Sequence, residues 1–303
     1  MGDESQSIAD SIGYTIMKIS EIYSNEKYDL LFALGDRFEM FAAVSASVPF
    51  NIPVAHLHGG EKTLGAIDDK LRHAITLMSK YHFVSTENHA GKVRELTGNS
   101  KHVYNVGALA IDNIKNIKLM TIEEIYKKYR VDLKKPTLLA TIHPETVNAG
   151  ININLVKEFI KAIIESKVQT VITLPNNDTS NEILRKELIR FCDENENIYA
   201  FDALGVKGYY SFMKNCYAVI GNSSSGIIEA ASFGKYAINI GDRQKGRDRG
   251  KNVIDVPIRS EKINQAIIRI SKLPRLNKNN IFGNGKTADR IVKILKSHLL
   301  KEK

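Results

Sequence analysis

Short apolar runs alternate with helical stretches along this chain, and several of the runs end in a polar cluster that contains glycine. Tyr28–Leu34 closes on Gly35, and Pro53–His58, Tyr81–Ser85 and Val103–Val106 follow in the same manner. Runs this short and this apolar read as buried strands, and strand–helix–strand repetition builds a parallel sheet. Ahead of them Ile8, Ile12, Ile16, Ile19 and Tyr23 share one face of an amphipathic helix. The stretch Asp112–Val131 is polar and lysine-rich, and reads as a helix and connector. After Pro136 the alternation resumes with strands over Thr137–Thr141, Gln169–Leu174, Ile198–Phe201, Ala218–Ile220 and Tyr236–Ile240, and an edge strand over Asn252–Val256. Helices are expected over Asn154–Glu165, Glu182–Cys192, Ile227–Ser232 and Ile291–Leu300. The expectation is an α/β chain with two parallel-sheet lobes. Their bounds are 1–115, a connector over 116–135, a second lobe over 136–285, and a terminal helix with a basic tail over 286–303.

Open parallel sheets bind ligands beyond the carboxyl ends of their strands. Gly221-Asn222-Ser223-Ser224-Ser225-Gly226 joins a strand to a helix, where small residues and hydroxyls suit a phosphate; an ordinary serine N-cap is the plain alternative. The lysine of the Walker pattern is missing. Glu229, just inside that helix, either complements its dipole or accepts bonds from sugar hydroxyls. Gly241-Asp242-Arg243-Gln244-Lys245-Gly246-Arg247 adds a basic loop suited to a diphosphate. His143, held extended by Pro144, is a phosphate donor, a proton shuttle or a surface histidine. In the first lobe, Asp36 and Arg37 follow a strand directly. His56 and His58 are expected to point to opposite faces of a strand, which would make them poor co-ligands for one metal; His58 is the one expected to face the ligand. Asp68 and Arg72 stand at i, i+4, and with Glu61 the segment gathers acids beside a glycine turn, a pattern suited to general acid/base work.

Composition narrows the classes. Of 303 residues, 43% are hydrophobic and 25% charged, which excludes disorder and coiled coil as whole-chain readings. The formal charge is +9, but residues 272–303 hold nine Lys/Arg against two Asp/Glu, so the surplus is a solvated basic tail rather than a nucleic-acid footprint. No apolar run reaches membrane-span length, and Met1-Gly2-Asp3-Glu4-Ser5-Gln6 fits neither a leader nor the myristoylation pattern. Cys192 and Cys216 form no framework, so a reducing cytoplasm is expected. No metal-ligand spacing and no dinucleotide fingerprint is present, so neither metal nor cofactor is expected.

Taken together, Gly35-Asp36-Arg37-Phe38-Glu39, His58-Gly59-Gly60-Glu61, Ile67-Asp68-Asp69 with Arg72-His73-Ala74-Ile75-Thr76, Thr141-Ile142-His143-Pro144, Ile220 through Gly226, Glu229, Phe233-Gly234 and Asn239 through Arg247 resemble the UDP-N-acetylglucosamine 2-epimerase family, in order along nearly the whole chain. The likeness is greatest to its hydrolysing branch, which serves sialic-acid-type sugar synthesis. The resemblance implies a GT-B fold of two Rossmann-like lobes with the nucleotide sugar between them. It also implies elimination of UDP across C1–C2 to a glycal, then hydration with inversion at C2. Asp36 and Asp68 would be the acid/base carboxylates, with Arg72 orienting them. His143, Gly221, Asn222, Ser223, Ser224 and Arg243 would hold the diphosphate end, and Glu229 the ribose.

Two departures matter. Some relatives carry Glu where this chain has His58, so the acid role falls either to Glu61 or to His58. The leading strand with its Gly-x-Arg turn has no counterpart, so the first lobe is expected to be incomplete by two or three βα units. The leading reading is a hydrolysing epimerase of UDP-N-acetylglucosamine yielding UDP and N-acetylmannosamine. The alternatives are the same reaction on UDP-N,N'-diacetylbacillosamine, or an inactive, shortened nucleotide-sugar-binding chain. The partner expected is a UDP-amino sugar, with no nucleic acid and no membrane, in a homo-oligomer.

Overall fold

The first unit, residues 1–109 with 286–303, is built on a four-stranded parallel sheet. The computed structural model describes residues 4–62, 67–144, 149–175 and 182–299. The expected first helix forms as α1 (Glu4–Asn25) and lies along α2 (Phe38–Ser47), which follows β1 (Leu31–Leu34). Then come β2 (Val54–Leu57), α3 (Ile67–Leu77), β3 (Tyr81–Val84), α4 (Glu87–Thr97), β4 (Val103–Asn105) and α5 (Leu109–Asn116). Strand order equals chain order, β1-β2-β3-β4, with every pair parallel. Every residue of β2 and β3 is buried, as apolar runs flanked on both faces require.

The expectation of a buried strand at Tyr28–Leu34 needs correction. Only Ala33 of β1 is buried, whereas Phe32 and Leu34 are 51% and 55% exposed. The cause is position. β1 is an edge strand, paired on one side by β2 among the described residues.

The second unit, residues 110–285, takes in nearly all of α5 and then α6 (Ile122–Tyr129), whose capping box pairs Thr121 with Glu124. It continues with β5 (Thr137–Thr141), α7 (Ala149–Ser166), β6 (Gln169–Thr173), α8 (Glu182–Asp193), β7 (Ile198–Phe201), α9 (Gly205–Asn215), β8 (Ala218–Gly221), α10 (Ser224–Ile228), β9 (Ala237–Ile240), β10 (Val253–Val256) and α11 (Ser260–Ile270). The sheet order is β10-β9-β8-β5-β6-β7, all parallel. The chain turns back between β5 and β8, so their carboxyl ends form the switch point where such sheets bind ligands.

Strand alternation sends Leu138 and Ala140 into one core with Phe159 and Ile267, and Leu139 into the other with Ile125, Phe212 and Met213. Ile125, Val131 and Leu133 therefore make the segment expected as a connector part of this second core. The terminal helix α12 (Thr287–Leu299) belongs to the first unit. Its Ile291 and Leu295 bury against Ala55, Tyr81 and Phe83, each worth about 1.5–3 kcal/mol. Arg290 donates to the Val106 carbonyl at 2.8 Å. The last helix is thus amphipathic and docked, and not solely a solvated basic face.

Candidate functional site

In the first unit the candidate residues gather around one guanidinium. Arg72, on α3, is buried at 3% exposure because α3 lays that face on the sheet. Its Nη2 donates to Asp36 in the turn after β1. Its Nη1 donates to Asp69 Oδ1 at 2.9 Å and to the Glu61 carbonyl at 2.7 Å. Three chain segments are fixed by this one planar fork, which a point charge on a flexible stem could not do. Asp68 stands beside the cluster, partly buried, with no hydrogen bond or ion pair among the described residues. Burial and then the neighbouring Asp36 charge raise its pKa. Arg37, by contrast, is exposed and spends its fork on Glu39.

The expectation that His56 and His58 point to opposite faces of one strand needs correction: residues two apart share a strand face, and β2 ends at Leu57, before His58. His56 is fully buried, with Nε2 donating to the Gly35 carbonyl at 2.9 Å and Nδ1 3.1 Å from Thr76 Oγ1. Burial pushes its pKa down to about 4, so it is a neutral structural residue. His58 lies past the strand at φ +66°, a left-handed conformation uncommon for a side-chain-bearing residue. Its Nδ1 is 2.8 Å from Glu61 Oε1. The Glu61 carboxylate is buried and also accepts from Ser85 Oγ at 2.9 Å.

The second unit presents a different surface at the β5–β8 switch point. A Cβ on Gly221, at φ +132°, would run into the Thr141 backbone, so a glycine lets β8 close on β5. Asn222 is fully buried. Its Oδ1 accepts from the His143 N–H and its Nδ2 donates to the His143 carbonyl, both at 2.7 Å. Its own carbonyl accepts from Arg243 Nη1 at 3.0 Å and Gln244 Nε2 at 2.9 Å. Asn222 thus holds His143 and Arg243 in place while its own polar groups are committed within the fold. His143 is partly buried, and burial followed by the Arg243 charge lowers its pKa to about 4. At neutral pH it is a neutral donor or acceptor. Ser223 caps α10, its Oγ accepting from the Ser225 N–H at 3.4 Å and from Ser225 Oγ at 3.1 Å, and the Ser224 hydroxyl has no partner among the described residues.

Beside these serines lies a cavity of about 330 Å³, within the size range of small-molecule sites. Leu204, Gly205, Val206, Tyr209 and Tyr210 line it with Glu229. Tyr210 donates to Glu229 Oε1 at 2.7 Å, and burial raises the Glu229 pKa. Tyr209 Oη is 2.6 Å from Ser225 Oγ, and burial pushes the phenol up to about 12, so it stays protonated. The two tyrosines are absent from the sequence reading, because aromatic residues within an amphipathic helix read as core. Ser85 and His89 are absent from it too, although the polar run after β3 is the same kind of signal as the clusters that were picked out. A group of three or more His, Cys, Asp or Glu able to hold a metal ion is not found among the described residues.

Comparisons with known proteins bear on this pair of surfaces. The chain is 34% identical over 292 residues to the UDP-N,N'-diacetylbacillosamine 2-epimerase (hydrolyzing) of Legionella pneumophila, covering 96% of this chain and 77% of the relative. It is 39% identical over 258 residues to the GDP/UDP-N,N'-diacetylbacillosamine 2-epimerase (hydrolyzing) of Campylobacter jejuni, covering 84% and 67%. The UDP-GlcNAc 2-epimerase of Neisseria meningitidis, solved with UDP-GlcNAc bound, superposes with a TM-score of 0.83 at 20% identity, over 98% of this chain and 84% of that one. That likeness extends the GT-B-like reading of two parallel-sheet lobes to this fold. The profile described as UDP-N-acetylglucosamine 2-epimerase matches residues 1–296, a span that takes in the Arg72 cluster, the Asn222 clamp and the docked last helix, and by it the chain belongs to the UDP-N-acetylglucosamine 2-epimerase family.

Proposed function

We propose that the chain is a hydrolysing 2-epimerase of a UDP-amino sugar, releasing UDP through a glycal and hydrating that glycal with inversion at C2. The observation that carries this reading is the pairing of Asp36 with Asp68. Asp36 is ion-paired with Arg72, while burial and the Asp36 charge favour the protonated form of Asp68. One carboxyl paired with a guanidinium and a second whose protonated form is favoured are suited to proton removal on one face and delivery on the other. Asp36 takes the proton from C2 as the C1–O bond to UDP breaks, and Asp68 returns one to C2 in the hydration. UDP binds the second unit: Ser223, Ser224, His143 and Arg243 at the diphosphate, Glu229 at the ribose, and Leu204 and Tyr209 around the base.

The substrate favoured is UDP-N,N'-diacetylbacillosamine, on the strength of the named activities of the Legionella and Campylobacter relatives; UDP-N-acetylglucosamine is the second choice. The test is product analysis by ¹H NMR with each sugar nucleotide in ²H₂O. The expected result is UDP plus a free 2-epimerised sugar carrying one deuterium at C2. Release of UDP with unlabelled C2, or no release from either sugar nucleotide, refutes the reading.

A further inference from the structure

The Glu61 carboxylate sits inside a directed chain of hydrogen bonds. Ser85 Oγ donates its one proton to Glu61 Oε1 at 2.9 Å, so the 2.9 Å contact between Ser85 Oγ and His89 Nδ1 must run from the imidazole N–H to the hydroxyl. Glu61 Oε1 also faces His58 Nδ1 at 2.8 Å. A carboxylate receiving Ser85 at Oε1 accepts from the His58 Nδ1–H as well. That fixes the tautomer of neutral His58 and leaves the lone pair on Nε2. Nε2 has no hydrogen-bond partner among the described residues, and the His58 side chain keeps 23% of its surface exposed against 7% for Glu61. The backbone agrees: His58 is held at φ +66° where the strand ends, and Gly60 packs on the His89 carbonyl behind it.

We propose that His58, not Glu61, is the proton acceptor for the water that attacks the glycal, with Glu61, Ser85 and His89 as positioning residues. This rests on the epimerase reading above. Inversion at C2 occupies the two carboxyl groups on its two faces, and the remaining proton to be moved is that of the water. In the step, a water O–H bond breaks and its proton goes to His58 Nε2, while the oxygen forms the bond to C1. The C1=C2 electron pair takes the proton that Asp68 delivers to C2. His58 is left as imidazolium, stabilised by Glu61, and returns its proton to solvent.

Two measurements on the full chain test this. Long-range ¹H–¹⁵N correlation on histidine-labelled protein, with His58→Gln to assign the signal, should show His58 as the Nδ1–H tautomer. Glu61→Gln and Ser85→Ala should each give a mixture of tautomers, and Ser85→Thr should restore the single form. An Nε2–H tautomer in the wild type, or one unmoved by Glu61→Gln, overturns the assignment. In single-turnover reactions, His58→Gln and Glu61→Gln should still release UDP but slow glycal hydration by roughly 10²–10⁴, so that glycal accumulates. Ser85→Ala should lower kcat with KM unchanged. Free sugar appearing in step with UDP in His58→Gln overturns the water step. A wild-type chain that releases no UDP overturns the epimerase reading and the water step together, while the tautomer still decides whether the dyad is built.

Discussion

Asn222 grips His143 by both backbone groups, accepting from its N–H and donating to its carbonyl at 2.7 Å each. The carboxyl ends of β5 and β8 are thereby locked at the point where their sheet changes direction. Asn222→Leu leaves that N–H and carbonyl without their side-chain partner, while the backbone carbonyl that holds Arg243 stays in place. The expected cost is about 1–3 kcal/mol of stability, read by urea denaturation, together with weaker UDP binding by calorimetry. Unchanged affinity in a folded Asn222→Leu protein would show that His143 needs no such clamp.

Glu229 and the serines are expected to contact different parts of one ligand. Glu229→Gln should weaken UDP about tenfold or more and leave inorganic pyrophosphate binding unaltered, whereas Ser224→Leu should weaken both. Tyr210→Phe should fall on the Glu229 side, since its hydroxyl holds Glu229 Oε1 at 2.7 Å. Calorimetry with the two ligands separates the patterns, and a common loss for all three variants would contradict the division.

Asp68→Asn should separate activity from stability. The folded-state pKa of Asp68 is raised, so stability drawn from its protonated form is present at low pH and is lost as pH rises through that pKa. At neutral pH the asparagine variant should therefore be as stable as the wild type or more so, while turnover falls by roughly 10²–10⁴. Asp36→Asn should lose turnover on the same scale but also lose stability, because it removes a partner of buried Arg72. Thermal melts beside initial rates read both.

Acid sensitivity should come from three histidines whose burial depresses their pKa to about 4: His56, His82 and His143. The unfolded chain binds protons at these positions near pH 6.5 and the folded one does not, so stability falls as pH drops from about 6.5 toward 4. His82 has its Nδ1 buried without a hydrogen-bond partner among the described residues. His82→Phe should flatten part of this slope, measured as urea midpoints at pH 7 and 4.5. A slope identical to the wild type would assign the acid loss elsewhere.

The strands and the loops at the switch point were legible in sequence because both depend on local patterns. An apolar run with a glycine at its end marks a strand and its ligand-facing turn, and Thr137–Thr141 and Ile198–Phe201 appear to the residue. What escaped depends on the third dimension. Phe32 and Leu34 look like core from composition, but whether they are covered depends on what lies beyond β1. The left-handed turn at His58 breaks an alternation that its residue types alone would continue. Tyr210 gains its meaning only from α9 lying beside Glu229, and Ser85 from its contact with a carboxylate 24 residues earlier.

Arg72 ties Asp36, Asp69 and the backbone of Glu61 with one side chain. The candidate acid/base groups of this unit therefore have no independent existence: loosening α3 scatters them together. Heat inactivation should then be an all-or-none event that precedes or coincides with melting of the first sheet, and residual turnover in a partly heated sample counts intact molecules instead of weakened ones.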